Sequence, residues 1–387
     1  MTTYPRSVHI IEVGPRDGLQ IEPKVLTVAE KLELIAALAA AGLREIEVGS
    51  FVKPDAVPQM ANSAEVIAAL PDIPGMTWRA LWLNTRGLER ARASGRIAME
   101  GRLTITASET FIRRNTNRGI EDAFADMPRW IEAYRAAGMV PDSLGVMAAF
   151  GCNFEGDVPV EHVVGLIERT AQLLAEHGSR LAALRLADTM GWANPLHVRR
   201  LVGAVRERWP EVEIKLHLHD TRGAALANAV AALEMGVRQF DAAIGGLGGC
   251  PFAGFGSASG GVPPAVGNVC TEDLVALCEE MGIETGLDLD KLVAAAQLAE
   301  QLVGHALPGK VMKGGSLERL RRRRAWRIKR GSKKAPSRSV SEGACEGAWF
   351  PAGVACAAPR QPGRASQGKG IRTGSANALG SGSDVQA

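Results

Sequence analysis

Paired cysteines are absent from this chain of 387 residues: Cys152, Cys250, Cys270, Cys278, Cys345 and Cys356 show no CxxC and no regular spacing. That excludes a disulfide framework and a cysteine-closed structural zinc site, and it suits a reducing compartment. Long apolar runs are missing too. No stretch approaches the ~18 residues of a membrane span. The opening MTTYPRSVHIIEVG has no apolar signal-peptide core before strand-like residues begin at Val8. A cytoplasmic protein without membrane attachment is expected. No GxGxxG follows the first strand-like run, which argues against an open, doubly wound dinucleotide-binding sheet.

A strong excess of one charge is also lacking, since the net charge is only +3, yet that balance hides an asymmetry. From Ser316 onward there are 15 Lys and Arg against 4 Asp and Glu, which leaves 30 basic and 38 acidic residues before it, a balance of −8. The body is mildly acidic, so composition gives no warrant for a nucleic-acid-binding body. The region from residue 316 to 387 is Gly, Ala, Ser, Pro and Arg-rich with few large apolar residues. It cannot offset the entropy of ordering, so a disordered basic tail is expected, with at most a short helix over 316–330. Nucleic-acid binding by the Arg321–Arg324 run is not expected.

What is present, over residues 1–315, is an alternation of short β-rich runs and amphipathic helical stretches. Strand character occurs at Val8–Gly14, Glu45–Ser50, Thr77–Trp82, Leu103–Ala107, Leu144–Phe150, Leu184–Asp188, Glu213–His219 and Phe240–Gly245. Helical stretches lie between them, and Thr271–Met281 and Asp288–Val303 follow. Alternating elements imply parallel strands joined by right-handed crossovers, and eight units imply a closed (β/α)8 TIM barrel with one or two extra C-terminal helices.

In such a barrel the polar residues at the carboxyl ends of the strands carry the chemistry. Strand 1 ends in GPRDGLQ, placing Arg16 and Asp17 at the mouth. Strand 7 reads KLHLHD, and alternation turns His217 and His219 to one face. An isolated HxH pair is more often two hydrogen-bonded core histidines. Beside Asp17 it becomes a divalent-metal site, suited to Mg²⁺ or Mn²⁺ rather than structural zinc. Strand 8 leads into GGLGGCPF, where glycines before Cys250 let the backbone approach a ligand, and a tuned thiol can act as acid or base. Glu47 and Asp188 also fall near strand ends, either as supports for the mouth or as structural ion-pair members.

These residues together resemble the 3-hydroxy-3-methylglutaryl-CoA lyase family. The resemblance rests on VGPRDGLQ, IEVGSFVKPDAVPQM, SETFIRRNTNR, FGCNFEG, HLHDTRG, GGLGGCPF and GNVCTEDLV, in order from the first strand to about Gly315. RDG and HxHD are shared with a wider group of metal-dependent barrels, whereas RDGLQ with GLGGCP is more specific. The resemblance implies that Asp17, His217, His219 and Asn268 bind the cation, and that Arg16 stabilises a thioester enolate. It implies roles for Cys250 as the loop thiol, Glu47 as a mouth carboxylate, Asp188 as a supporting acid, and Gln20 beside Arg16 in holding substrate. An acyl-CoA substrate, a homodimer or higher homo-oligomer and carbon–carbon cleavage follow as expectations. The family's substrate would be 3-hydroxy-3-methylglutaryl-CoA, with another branched hydroxyacyl-CoA such as citramalyl-CoA as the rival. A Claisen-type synthase is a weaker alternative, and a polyanion-binding protein acting through the tail is the non-enzymatic one. The chain departs from the family in the longer stretch AGFGSASGGVPPAV, between Cys250 and Asn268, and in its basic tail.

Overall fold

The computed structural model describes residues 4–249 and 267–322. Cys250, the stretch that follows it and most of the basic tail therefore lie outside the described residues.

Eight parallel strands form one curled sheet. They are β1 (His9–Glu12), β2 (Glu45–Ser50), β3 (Thr77–Leu81), β4 (Gly101–Thr106), β5 (Pro141–Met147), β6 (Ala183–Asp188), β7 (Glu213–Leu218) and β8 (Gln239–Ala242). The order across the sheet is β3-β2-β1-β8-β7-β6-β5-β4. The first strand thus lies between the second and the last, with Ile10 opposite Phe240 and Glu12 opposite Ile46. This adjacency is what wraps consecutive β/α units into a barrel. No ladder joins β3 to β4 among the described residues, although Ala98 N donates to Trp78 O at 2.8 Å on the approach to β4. A seam remains on that side.

Helices follow the strands because the sequence starts them with side-chain caps. Thr27 opens Val28–Ala40 with a capping box to Glu30, and Ser108 opens Glu109–Thr116 by accepting from Phe111 N at 3.1 Å. The helices pack Leu34, Ile131, Ile167 and Leu201, all fully buried, against the outer faces of the strands. The helices Thr271–Glu280 and Leu289–Val303 follow the barrel, with a further turn at Val311–Gly314.

Strand ends differ from expectation where backbone geometry intervenes. The fifth strand starts earlier and stops earlier than Leu144–Phe150, because Pro141 pairs with Gly101 and Ala148 takes a left-handed φ of 52°. The eighth ends at Ala242, since Gly245, at φ 64°, sits in a 3₁₀ turn. Past Gly315 the chain is helical over residues 317–322. Ser316 is buried with Oγ 3.3 Å from Asp290 Oδ1, and Arg321 donates to both oxygens of Glu280 at 2.7 and 2.8 Å.

Candidate metal centre

The carboxyl ends of β1, β7 and β8 converge on one point. After β1 the chain turns through a five-residue π-type segment, Gly14–Gly18, in which Gly18 N donates to Val13 O at 3.2 Å. Such segments are often functional. Here the turn buries both Arg16 and Asp17 over the mouth. On β7 and just beyond it, His217 and His219 face the same way, with their Nε2 atoms 3.1 Å apart. Each Nε2 lies 3.8 Å from Asp17 Oδ2. The third approach comes from residues 267–270. His219 bridges Asn268, Val269 N donates to Leu218 O at 2.8 Å, and Ala243 bridges Cys270. Asn268 Nδ2 thereby reaches Asp17 Oδ2 at 2.8 Å. The glycine at 248 is required for this approach, because a Cβ there would stand 2.0 Å from Asn268 Nδ2.

The donor set fits a cation. Ligand atoms of Asp17, His217 and His219 all lie within 4.8 Å of one another. His217 Nδ1 is 3.2 Å from Asp241 Oδ2, which places the ring proton on Nδ1 and a lone pair on Nε2. Arg185 Nη2 also approaches that Nδ1 at 3.0 Å, but it is paired with the Asp241 carboxylate, which accepts from both. Burial holds His219 down to about 3, with His217 adding to the effect, so its imidazole is neutral and able to ligate. Burial alone would raise the Asp17 pKa. Arg16 and the hydrogen bond from the Asn268 amide outweigh it and hold the carboxylate ionised, well below its ordinary range. Asn268 Oδ1 is buried without a hydrogen-bond partner, the state expected of an atom awaiting an ion.

Arg16 stands beside this cluster as a fixed cation. Its Nε and Nη2 donate to Glu47 Oε2 at 2.9 and 2.6 Å, and Nη1 donates to Asp17 Oδ1 at 2.5 Å. Burial would favour a neutral guanidine, but Glu47 and Asp17 overcome it and raise the pKa above its usual value. Gln20 Nε2 donates to Asp17 Oδ1 at 2.9 Å and to Gly249 O at 3.0 Å, tying the glycine-rich segment to the first turn.

The structure therefore brings together Arg16, Asp17, Gln20, Glu47, His217, His219 and Asn268. Asp188 stands apart. Its two oxygens accept from Trp192 N at 2.7 Å and Ala193 N at 3.1 Å, holding the loop after β6. Burial raises its pKa to about 7 despite those bonds. Cys250 lies outside the described residues. Sequence reasoning missed Asp241 and Arg185, which orient His217. The signal available was Asp241 itself, a charge inside the otherwise apolar run FDAAI, since a buried charge demands a partner.

A (β/α)8 barrel with an Asp–His–His metal-capable mouth and an adjacent fixed arginine is the class that the fold and site define. Within it, the HMGL-like family model matches residues 7–299. A Bacillus subtilis hydroxymethylglutaryl-CoA lyase is 39% identical over 79% of this chain and 97% of its own. An (R)-citramalyl-CoA lyase of Chloroflexus aurantiacus is 40% identical over 80% of this chain and 95% of its own. The structure of an Acinetobacter baumannii HMG-CoA lyase in complex with coenzyme A and 3-methylmalate superposes with a TM-score of 0.71 at 38% identity, covering 82% of this chain and 98% of that one. The chain belongs to the HMGL-like family.

Proposed function

We propose that this protein is a divalent-metal-dependent carbon–carbon lyase that splits 3-hydroxy-3-methylglutaryl-CoA into acetyl-CoA and acetoacetate. The observation that carries the reading is the Asp17–His217–His219 cluster set directly against the Arg16–Glu47 pair. Asp17, His217, His219 and, after rotation of its amide, Asn268 would hold Mg²⁺ or Mn²⁺. When bound, the cation supplies Lewis acidity that lowers the pKa of the substrate's tertiary hydroxyl.

The tertiary hydroxyl gives its proton to solvent and becomes the ketone as the C2–C3 bond breaks, and the electron pair of that bond stays on the thioester fragment as its enolate. Arg16, locked by Glu47 and Asp17, presents a positive charge that needs no rearrangement as that negative charge develops. Asp241 keeps His217 in the tautomer whose Nε2 faces the cluster. Gln20 fixes Gly249 over the mouth, from where the chain enters Cys250. We assign the Cys250 thiol to proton delivery at the enolate carbon. Asp188 acts at one remove, through the loop it anchors.

Coupled acetyl-CoA release from 3-hydroxy-3-methylglutaryl-CoA, with and without EDTA, tests the proposal. Turnover that stops with chelation and returns with Mg²⁺ is the expected result. Undiminished turnover in metal-free protein would exclude the mechanism. The identity to the Chloroflexus lyase makes citramalyl-CoA the second substrate to assay. Pyruvate formation at the higher kcat/KM would reassign the acyl group and leave the chemistry intact.

A further inference from the structure

A cavity of about 360 Å³ runs inward from the β3–β4 seam to Arg185, Lys215 and Asp241. Its volume lies within the ~300–1,000 Å³ typical of small-molecule pockets. Leu81, Trp82, Ile112 and Trp130 supply apolar surface to its wall, beside Arg118, Asp126 and Arg129. The inner end is charged, and its charges do not cancel.

Six cationic side chains line the cavity, Arg79, Arg102, Arg118, Arg129, Arg185 and Lys215, against four carboxylates. All four carboxylates are already engaged. Glu47 is bound to Arg16, and Asp241 to Arg185 and His217. Glu100 accepts from Arg79 at 2.6 Å and Ser143 at 3.2 Å. Asp126 pairs with Arg118 at 3.1 Å and Arg129 at 3.4 Å. Three sets of donors are left over. The side chain of Lys215, on β7, makes neither a hydrogen bond nor an ion pair to any described residue, and Asp241, Glu100 and Glu45 act on it only through space. Arg102, on β4, reaches Glu100 no closer than 3.8 Å. Arg185 Nε is buried with no partner. Arg185 and Arg102 share their carboxylates with other cations and Lys215 has none of its own, so an anion placed among these donors lowers the cost of holding them away from water.

We infer that this cavity binds a carboxylate carried on a short apolar chain, its head on Lys215, Arg102 and Arg185 and its chain along the wall at Leu81 and Trp130. The carboxylate has two possible sources, the far end of an acyl substrate or a free carboxylic acid. Binding itself does not depend on the activity proposed above.

The test is calorimetric titration of butyrate, hexanoate and octanoate into the full-length Mg²⁺-loaded protein, repeated after chelation. Saturable binding is expected that persists without metal and tightens from butyrate to hexanoate. Lys215→Met should weaken it at least about tenfold, as loss of one charge-assisted hydrogen bond does, while Lys215→Arg retains it. Arg102→Gln, on another strand, repeats the comparison if Lys215→Met misfolds. Absence of saturable binding, or affinity indifferent to both charge-removing variants, overturns the inference. Hexanoate that inhibits acetyl-CoA release competitively would mark the cavity as the receptacle for the acyl group's own carboxylate. Binding without competition would mark a site for a free acid. If no hydroxyacyl-CoA is turned over, the proposed function fails while the titration still decides this site.

Discussion

At the scale of single residues, Arg16 serves two roles that mutation can separate. It neutralises Glu47 and Asp17 inside the protein, and it offers charge to the reacting thioester. Arg16→Met should lower kcat by on the order of 10²–10³ with little change in KM, the pattern of an interaction made in the transition state. It should also lower the melting temperature, because Glu47 is left buried and unpaired, a defect that typically costs about 3–5 kcal/mol. The double variant Arg16→Met/Glu47→Gln should recover the part of the stability lost at Glu47 and none of the kcat. Recovery of turnover in the double variant would show that Arg16 matters only as a counter-ion. Legibility at this scale divides by reach. Arg16, Asp17, His217 and His219 were readable because each sits at a strand end, where alternation and the barrel rule give a direction. Asn268 was not, since it reaches the mouth through a bridge to His219 that no local pattern encodes. Only the resemblance of GNV pointed to it.

Elements carry a different kind of evidence. All eight strands were legible from β-rich runs between helical stretches, and the two post-barrel helices from their apolar spacing. Helices Ser63–Ala68 and Glu109–Thr116 were not, because six and eight residues give too few turns for a period to show. Glu12 was missed as well, although it joins three elements. It ends β1 and accepts from Gly14 N at 2.8 Å, Ile244 N at 2.9 Å and Thr271 Oγ1 at 2.7 Å. Burial raises its pKa from 4.5 to about 7, with those hydrogen bonds opposing the shift. A raised carboxyl stabilises the fold fully below its unfolded pKa, and the contribution disappears as pH climbs through the folded value. Stability supplied by Glu12 should therefore fall between about pH 4.5 and 7, by roughly 3 kcal/mol at about 1.36 kcal/mol per unit. Glu12→Gln keeps an oxygen for the two amides and an NH₂ for Thr271 Oγ1, so it should match the parent at pH 4.5 and exceed it at pH 8. Asp188, also raised to about 7, is common to both proteins and drops out of the difference, whereas the charge of Glu272 adds to the Glu12 shift and is part of what the variant removes. Urea denaturation at the two pH values reads it directly. Equal stability at pH 8 would mean that Glu12 is not ionised there.

For the whole molecule, the ligand set matters because of where its members lie along the chain. Asp17 follows the first strand, His217 lies in the seventh with His219 just beyond it, and Asn268 lies beyond the eighth. An ion held among them ties the first β/α unit to the last across the β1–β8 junction, so occupancy should stabilise the barrel as a unit. Binding to the folded state alone contributes about 2.7 kcal/mol at a metal concentration of ~100 times Kd. For a domain of this size that raises the melting temperature by roughly 5 °C. His219→Ala should abolish the metal-dependent increment, whereas Lys215→Met, which removes no ligand, should keep it. A second cluster, Cys270, Glu272 and Asp273, also has ligand atoms within 4.8 Å of one another. It should bind no ion, since both Asp273 oxygens already accept from Lys310 N at 3.0 Å and Oδ1 also accepts from Val311 N at 2.7 Å. A Cβ built on Gly309 would also stand 2.4 Å from Glu272 Oε1, so little space is left for a ligand shell. Thermal melts of the parent, His219→Ala and Cys270→Ala, each with Mg²⁺ and with EDTA, discriminate between the clusters. An increment that survives in His219→Ala and vanishes in Cys270→Ala would move the metal to the second cluster and leave the mouth without one.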